Sequence, residues 1–217
     1  MPAKAVLGGT FNPIHLGHLL MAETALNQLA LEQVIWVPTY RPLYKSSAEL
    51  VGFKHRLEML KLAIAFHPSF VVSAIEQNFF TVEQIQPHSS YAVDTFLALK
   101  DIHAASQWYW IVGLDTFLTL PYWYRRQELL PHCIWLVAPR LEASVEKDLI
   151  KTQALCEQVA QKMAAEAIAL NWQILDMPQI SLSSQLIRQY CRDRRSIRYL
   201  VLDAVRDYIL QHNLYKT

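Results

Sequence analysis

The stretch "AVLGGTFNPIHLGHLLMAETAL", Ala5–Leu26, decides the fold. It opens as a short apolar run, Ala5–Leu7, and meets Gly8 and Gly9. Thr10, Phe11 and an Asn12-Pro13 pair follow, then His15 and His18 flank Leu16 and Gly17. From Leu16 onward the apolar spacing is helical. The reading is strand, turn, helix. Glycine lets a backbone turn tightly and lets a ligand approach without a Cβ in the way. The helix that follows presents free N–H groups at its start, which favour an anion such as phosphate. Asn12 is read as a turn cap, and Pro13, with its fixed φ, as the lead into the helix. His15 and His18 are three apart, so on a helical turn they share a face. Gly17 between them leaves room for a bulky group against that face. Imidazole N–H groups aimed at one point can bond phosphate oxygens and stabilise growing charge.

Two other readings of the turn stay open on these residues alone. A Gly-Gly after a strand is often only a turn. Two histidines at helical spacing can hold a metal, but a third ligand should follow nearby, and Glu23 is the only close carboxylate. No protein-held metal is expected. The chain lacks G-x-G-x-x-G and G-x-x-x-x-G-K-[ST], which disfavours a standard dinucleotide fold or P-loop NTPase.

Outward from this turn, short apolar runs alternate with amphipathic stretches. Strands are expected at Ala5–Leu7, Val34–Val37, Phe70–Ser73, Trp108–Val112, Ile134–Ala138 and Gln173–Leu175. Helices are expected at Leu16–Leu31, Lys54–Phe66, Val93–Ile102, Glu142–Leu170, Ser184–Arg192 and Tyr199–Gln211. Such alternation argues for an α/β fold with a mostly parallel sheet. The polar stretch Ala74–Ser90 reads as a surface excursion. The length of 217 residues suits a single domain, 1–217. Hydrophobic residues make up 53% and charged residues 18%, enough for a sizeable core. The net charge of +1 gives no argument for a nucleic-acid or membrane partner. Cys133, Cys156 and Cys191 are far apart and odd in number, which disfavours a zinc cluster or a disulfide framework. With no signal-peptide layout, a cytoplasmic setting is expected.

"GGTFNPIHLGH" resembles the G-G-x-F-[DN]-P-x-H-x-G-H signature of the nucleotidylyltransferase superfamily. The whole chain is similar to the bacterial nicotinate-mononucleotide adenylyltransferases. The resemblance implies a Rossmann-like, doubly wound fold with a C-terminal helical segment. It implies transfer of the adenylyl group from ATP to nicotinate mononucleotide, with Mg²⁺ bound through the ATP phosphates and with pyrophosphate and deamido-NAD as products. On it, His15, His18 and Lys45 are catalytic, Lys45 standing in "VPTYRPLYKSS" where relatives have Pro-Pro-His-Lys or Pro-Leu-Lys. Gly8, Gly9, Thr10, Phe11, His15, His18 and Gly113 would line the ATP site. "ISLSSQLIRQY" matches a helix start that grips the β- and γ-phosphates, through Ser183, Ser184 and Arg188. Tyr91 and Ala92 would hold the pyridine carboxylate by backbone amides. In "GLDTFLTLPYW", Asp115 would bond a ribose hydroxyl and Trp123 would stack on the pyridine ring. The physics agrees: serines cap helices, arginine can hold phosphate bidentately, and an indole offers a flat apolar face. Trp123 as plain core is the competing reading. Tyr44, Ala92 and Gln185 depart from the family pattern, and Arg140 is displaced by one position behind Pro139.

Rival functions are an adenylyltransferase for nicotinamide mononucleotide, a phosphopantetheine transferase and a non-catalytic nucleotide sensor. Asp115 with Trp123 favours a nucleoside bearing a flat ring over a pantetheine arm. A tRNA-synthetase-like protein would need a lysine-rich late loop that is not evident. A homo-oligomer stays open.

Overall fold

The computed structural model describes residues 2–42, 50–79, 90–105, 107–139, 145–178 and 180–216, apart from the side chains of 145–147. The chain runs β1 (Ala3–Gly9), α1 (Leu16–Gln28), β2 (Gln33–Pro38), α2 (Phe53–Ile64), β3 (Phe70–Val72) and α3 (Ile75–Asn78). It continues α4 (Ala92–Ile102), β4 (Gln107–Gly113), α5 (Leu114–Phe117), β5 (Ile134–Ala138), α6 (Val145–Ala165), β6 (Asn171–Ile174), α7 (Ser184–Arg192) and α8 (Asp203–Gln211). Three short 3₁₀ turns lie between α5 and β5, at Leu120–Tyr122, Arg126–Glu128 and Leu130–His132.

The sheet order is β3-β2-β1-β4-β5-β6, and β1–β4, β4–β5 and β5–β6 pair in parallel. Val34, Ile35, Trp36 and Val37 of β2 are all buried, as are Trp135–Ala138 of β5. Continuous apolar runs of this kind belong to strands covered on both faces. The edge strand β6 instead alternates exposed and half-buried residues. The strand order reverses direction at β1 and β4, so ligands are expected beyond the carboxyl ends of these two strands. Gly8 and Gly113 stand there.

The expected elements all form. The short helices α3 and α5 were not anticipated, because each is a single turn with no period to detect. α3 occupies the start of the expected surface excursion; residues 80–89 of that stretch lie outside the described residues. Helix ends differ more. α1 stops at Gln28 and α6 at Ala165, ahead of the expected Leu31 and Leu170. At both ends the chain turns left-handed on an alanine, Ala30 (φ 47) and Ala167 (φ 59). Leu31 N–H then donates to Leu26 C=O (3.0 Å) and Ile168 N–H to Met163 C=O (2.9 Å). These are Schellman closures without the usual glycine, so no residue type announced them. α8 begins at Asp203 because Tyr199 is left-handed (φ 65) and Leu202 is extended.

The chain divides into two compact units. The first comprises Met1–Gly8, Leu20–Ile35 and Tyr91–Ser181; Trp110 and Trp135 stack at 5.7 Å in its core. The second comprises Gly9–Leu19, Trp36–Ser90 and Leu182–Thr217; α2 packs on α8, with His55 Nδ1 3.0 Å from Tyr208 Oη, and Met59, Leu60, Val205 and Ile209 of the two helices are buried. No helix among the described residues is long and apolar enough to cross a membrane.

Candidate active site

Gly8 and Gly9 do not form the turn. Both belong to β1, and no glycine in the described residues has a positive φ. The left-handed residue is Phe11, at φ 46. Its ring folds back on Gly9, where a Cβ would stand 3.1 Å from Phe11 Cε1. Gly9 is therefore needed for close approach, but by Phe11. The Phe11 side chain is buried, with its ring edge-on to His18 at 5.1 Å and tilted against Trp36 at 5.6 Å. Only its backbone is left to serve a ligand. Thr10 is half-buried and its carbonyl accepts from Arg56 Nη1 at 2.8 Å.

His15 immediately precedes α1, and His18 sits in its first turn. Their rings stack with centroids 3.7 Å apart and planes inclined by 25°. His18 N–H donates to His15 C=O at 3.0 Å, and His15 N–H donates back to His18 Nδ1 at 3.3 Å. The His18 ring thus takes the part that Glu has in a capping box, satisfying the N–H ahead of the helix, while the His15 backbone carbonyl rather than its side chain accepts the return bond. That arrangement also fixes the His18 tautomer: Nδ1 accepts, so the neutral ring carries its proton on Nε2. His15 is buried, and burial pushes its pKa down to about 4. It is a neutral imidazole at pH 7. The group that Gly17 accommodates is His15 itself, since a Cβ at position 17 would lie 3.0 Å from His15 Nδ1.

Pro13 lies outside α1, and the Asn12 side chain reaches residues far along the chain. Asn12 is a buried junction. Its Oδ1 accepts from Tyr215 Oη (2.9 Å) and Val51 N–H (3.4 Å), and its carbonyl accepts from Arg188 Nη1 (3.0 Å). α7 is tied to the same turn. Ser183 caps it, accepting from Leu186 N–H at 3.1 Å, while Ser184 Oγ donates to Pro13 C=O at 2.8 Å. The expected serine cap is thus present. The Ser184 hydroxyl proton, however, is used within the protein, which leaves its backbone N–H for an anion. Ser183 keeps its hydroxyl proton. Arg188 is buried with one nitrogen on Asn12.

Tyr91, Ala92, Gly113, Asp115 and Trp123 fall in the first unit. Ala92 opens α4, with Tyr91 extended before it, so unpaired helix N–H groups begin there. The Tyr91 ring lies 4.5 Å from that of Tyr124. Asp115 is exposed in the first turn of α5, two residues after Gly113. Trp123 is half-buried; its Nε1 donates to Thr119 Oγ1 (3.0 Å), and its ring meets Trp135 edge-on at 5.6 Å. It is neither free on the surface nor enclosed. Lys45 and Tyr44, which follow β2 in the sequence, and Arg140 lie outside the described residues.

Two supporting residues escaped the sequence reading. Arg56 is buried in α2. Its guanidinium donates to the carbonyls of Thr10, Thr39, Tyr40 and Val51. Burial lowers its pKa to about 10, still charged at neutral pH. Tyr215 stands next to the chain's end and carried no motif. A single arginine inside an otherwise apolar helical stripe was the one available signal for Arg56.

Residues 6–190 match the cytidylyltransferase-like family. The chain is 46% identical over 215 residues to a protein of Trichormus variabilis named probable nicotinate-nucleotide adenylyltransferase, covering 99% of this chain and 98% of that one. A protein of the same name from Lachnoclostridium phytofermentans is 34% identical over 215 residues, covering 99% and 100%. The fold matches that of Plasmodium falciparum nicotinic acid mononucleotide adenylyltransferase complexed with NaAD, at a TM-score of 0.73, 17% identity and coverage of 99% and 98%. A full-length relationship of this strength joins the opening turn, the capped α7 and the β1–β4 reversal to one lineage: the chain belongs to the cytidylyltransferase-like family and, within it, to the nicotinate-nucleotide adenylyltransferases.

Proposed function

We propose that the chain acts as a single nucleotidylyltransferase domain, 1–217, which transfers the adenylyl group of ATP to nicotinate mononucleotide in NAD biosynthesis. The 5′-phosphate oxygen of the acceptor attacks the α-phosphorus in line. A new P–O bond forms, the bond from the α-phosphorus to the bridging oxygen breaks, and pyrophosphate leaves with that electron pair. No protein nucleophile is needed, so catalysis is positioning plus charge stabilisation. Magnesium would enter with the nucleotide as MgATP, where it would offset phosphate charge.

The observation that carries this reading is the locked His15–His18 pair. Its backbone bond makes His18 Nε2 a committed donor for phosphate oxygens, and burial keeps His15 neutral beside it. Ser183, the Ser184 backbone N–H and Arg188 would hold the triphosphate, with Lys45 as a point charge. Gly8, Gly9, Thr10, Phe11 and Gly113 would serve ATP through backbone and open space. Asp115 would take ribose hydroxyls, Trp123 the pyridine ring, and the N–H groups around Tyr91 and Ala92 the pyridine carboxylate. A reducing, cytoplasmic setting accompanies this reading, and it is supported by the free thiols of Cys133, Cys156 and Cys191.

The test is to incubate the pure protein with ATP, Mg²⁺ and each acceptor separately, following pyrophosphate and dinucleotide. Nicotinate mononucleotide should be used at least about tenfold better than its amide, ~1.4 kcal/mol of discrimination. Equal use of both, or preference for the amide, removes the carboxylate role from the α4 start.

A further inference from the structure

We infer that Tyr215 is a positioning residue for nucleotide binding, which acts through Asn12 on the opening turn and on Arg188. The inference rests on the proposed placement of the ATP phosphates.

Asn12 is 1% exposed, so its amide has no bulk water to turn to, and its orientation follows from its protein partners. Two donors, Tyr215 Oη at 2.9 Å and Val51 N–H at 3.4 Å, converge on Oδ1. The tyrosine bond is the shorter. It joins positions 203 residues apart, so the last turn of the chain closes onto the first. Burial raises the Tyr215 phenol well above its ordinary range, which keeps the hydroxyl a donor. Tyr215 is itself left-handed, at φ 61, and Phe11 beside Asn12 is left-handed too. Bulky residues adopt this conformation only where surrounding contacts impose it.

The consequence lies one bond further on. The Asn12 carbonyl receives Arg188 Nη1, and the next carbonyl, of Pro13, receives Ser184 Oγ. The turn that bears His15 and the helix that bears Ser183, Ser184 and Arg188 are therefore referenced to one backbone segment. Tyr215 and Val51 hold that segment by its side chain. Loss of the phenolic oxygen removes the shorter of these two bonds from Oδ1, and the error passes to every group referenced to it.

The test compares Tyr215→Phe with a core control, Ile209→Val in α8, both in the full chain. Melting curves set a common temperature well below both transitions. ATP with Mg²⁺ is then titrated by calorimetry, and initial rates are measured with nicotinate mononucleotide. Tyr215→Phe should weaken ATP binding about tenfold and raise the ATP KM correspondingly, with the acceptor KM within about twofold of the parent. Ile209→Val should bind ATP like the parent. ATP affinity unchanged in Tyr215→Phe, or lowered equally in both variants, overturns the positioning role. The binding readout needs no turnover, so a parent that binds ATP but forms no dinucleotide refutes the proposed activity and leaves this inference to be judged on affinity alone.

Discussion

His15 and His18 are chemically alike in the sequence and different in the structure. His18 is bonded to the backbone of His15, while His15 is enclosed with its ring against Gly17. Enclosure gives His15 a measurable signature. An unfolded histidine takes up its proton near 6.5, whereas the folded one waits until about 4. Between these values the unfolded chain binds more protons, so stability rises with pH through the window and levels off above it. The contribution, fully present above 6.5, is about 3 kcal/mol lost by pH 4. Urea midpoints at pH 7.5 and 4.5 should show a steeper loss in the parent than in His15→Gln, and parallel losses would mean that His15 is not protected. For His18, the proposed role as an Nε2–H donor to transition-state charge predicts that His18→Ala lowers kcat by roughly 10²–10³. ATP affinity should change far less. Near-normal kcat in that variant would make the histidine a helix cap and nothing more.

At the scale of elements, the strands were legible because parallel strands covered on both faces leave unbroken apolar runs. Val34–Val37 and Ile134–Ala138 could hardly be read otherwise. α7 was legible to the residue because a serine cap marks its start and its amphipathic period is strong. Helix ends without glycine were not. Ala30, Ala167 and Arg194 (φ 54) each close a helix in the left-handed region, with Arg195 N–H donating to Tyr190 C=O at 2.8 Å in the last case. An L-residue there costs roughly 1–2 kcal/mol relative to its ordinary conformation, a cost glycine escapes. Glycine also loses more chain entropy on folding, so the net gain is smaller. Ala167→Gly should therefore raise stability by about 0.5–1 kcal/mol, and Arg194→Gly similarly. Chemical denaturation of the two single variants and their double checks this. A loss of stability at both positions would mean that the side chains contribute contacts outweighing the strain.

Across the whole molecule, the motif spacing singled out the proposed nucleotide-binding residues, but it could not show how their hydroxyls and guanidinium are already engaged. Ser184 and Arg188 were read as phosphate ligands by type; their bonds to Pro13 and Asn12 join positions 171 and 176 residues apart, which no local pattern encodes. The expected acceptor residues Tyr91, Ala92, Asp115 and Trp123 all fall in the first unit, together with Gly8 and Gly113 of the proposed ATP site, whereas the proposed phosphate contacts His15, His18, Ser183, Ser184 and Arg188 fall in the second. This division predicts separable substrate effects, and Trp123 tests it best. Its ring is only half-buried and meets Trp135 by an edge, so a full core cost is not expected. Trp123→Ala should weaken acceptor binding by ~1–3 kcal/mol, the range for stacking on an aromatic face, and leave the ATP KM near normal. Trp123→Phe should recover part of the loss, because a smaller flat face remains. If the indole serves packing alone, truncation should instead cost ~3–5 kcal/mol of stability and spare the acceptor KM of whatever stays folded. Melting curves and acceptor titrations on the same two variants separate these outcomes. A large fall in Tm with an unchanged acceptor KM would return Trp123 to the core and leave Asp115 and the α4 amides as the acceptor's remaining candidates.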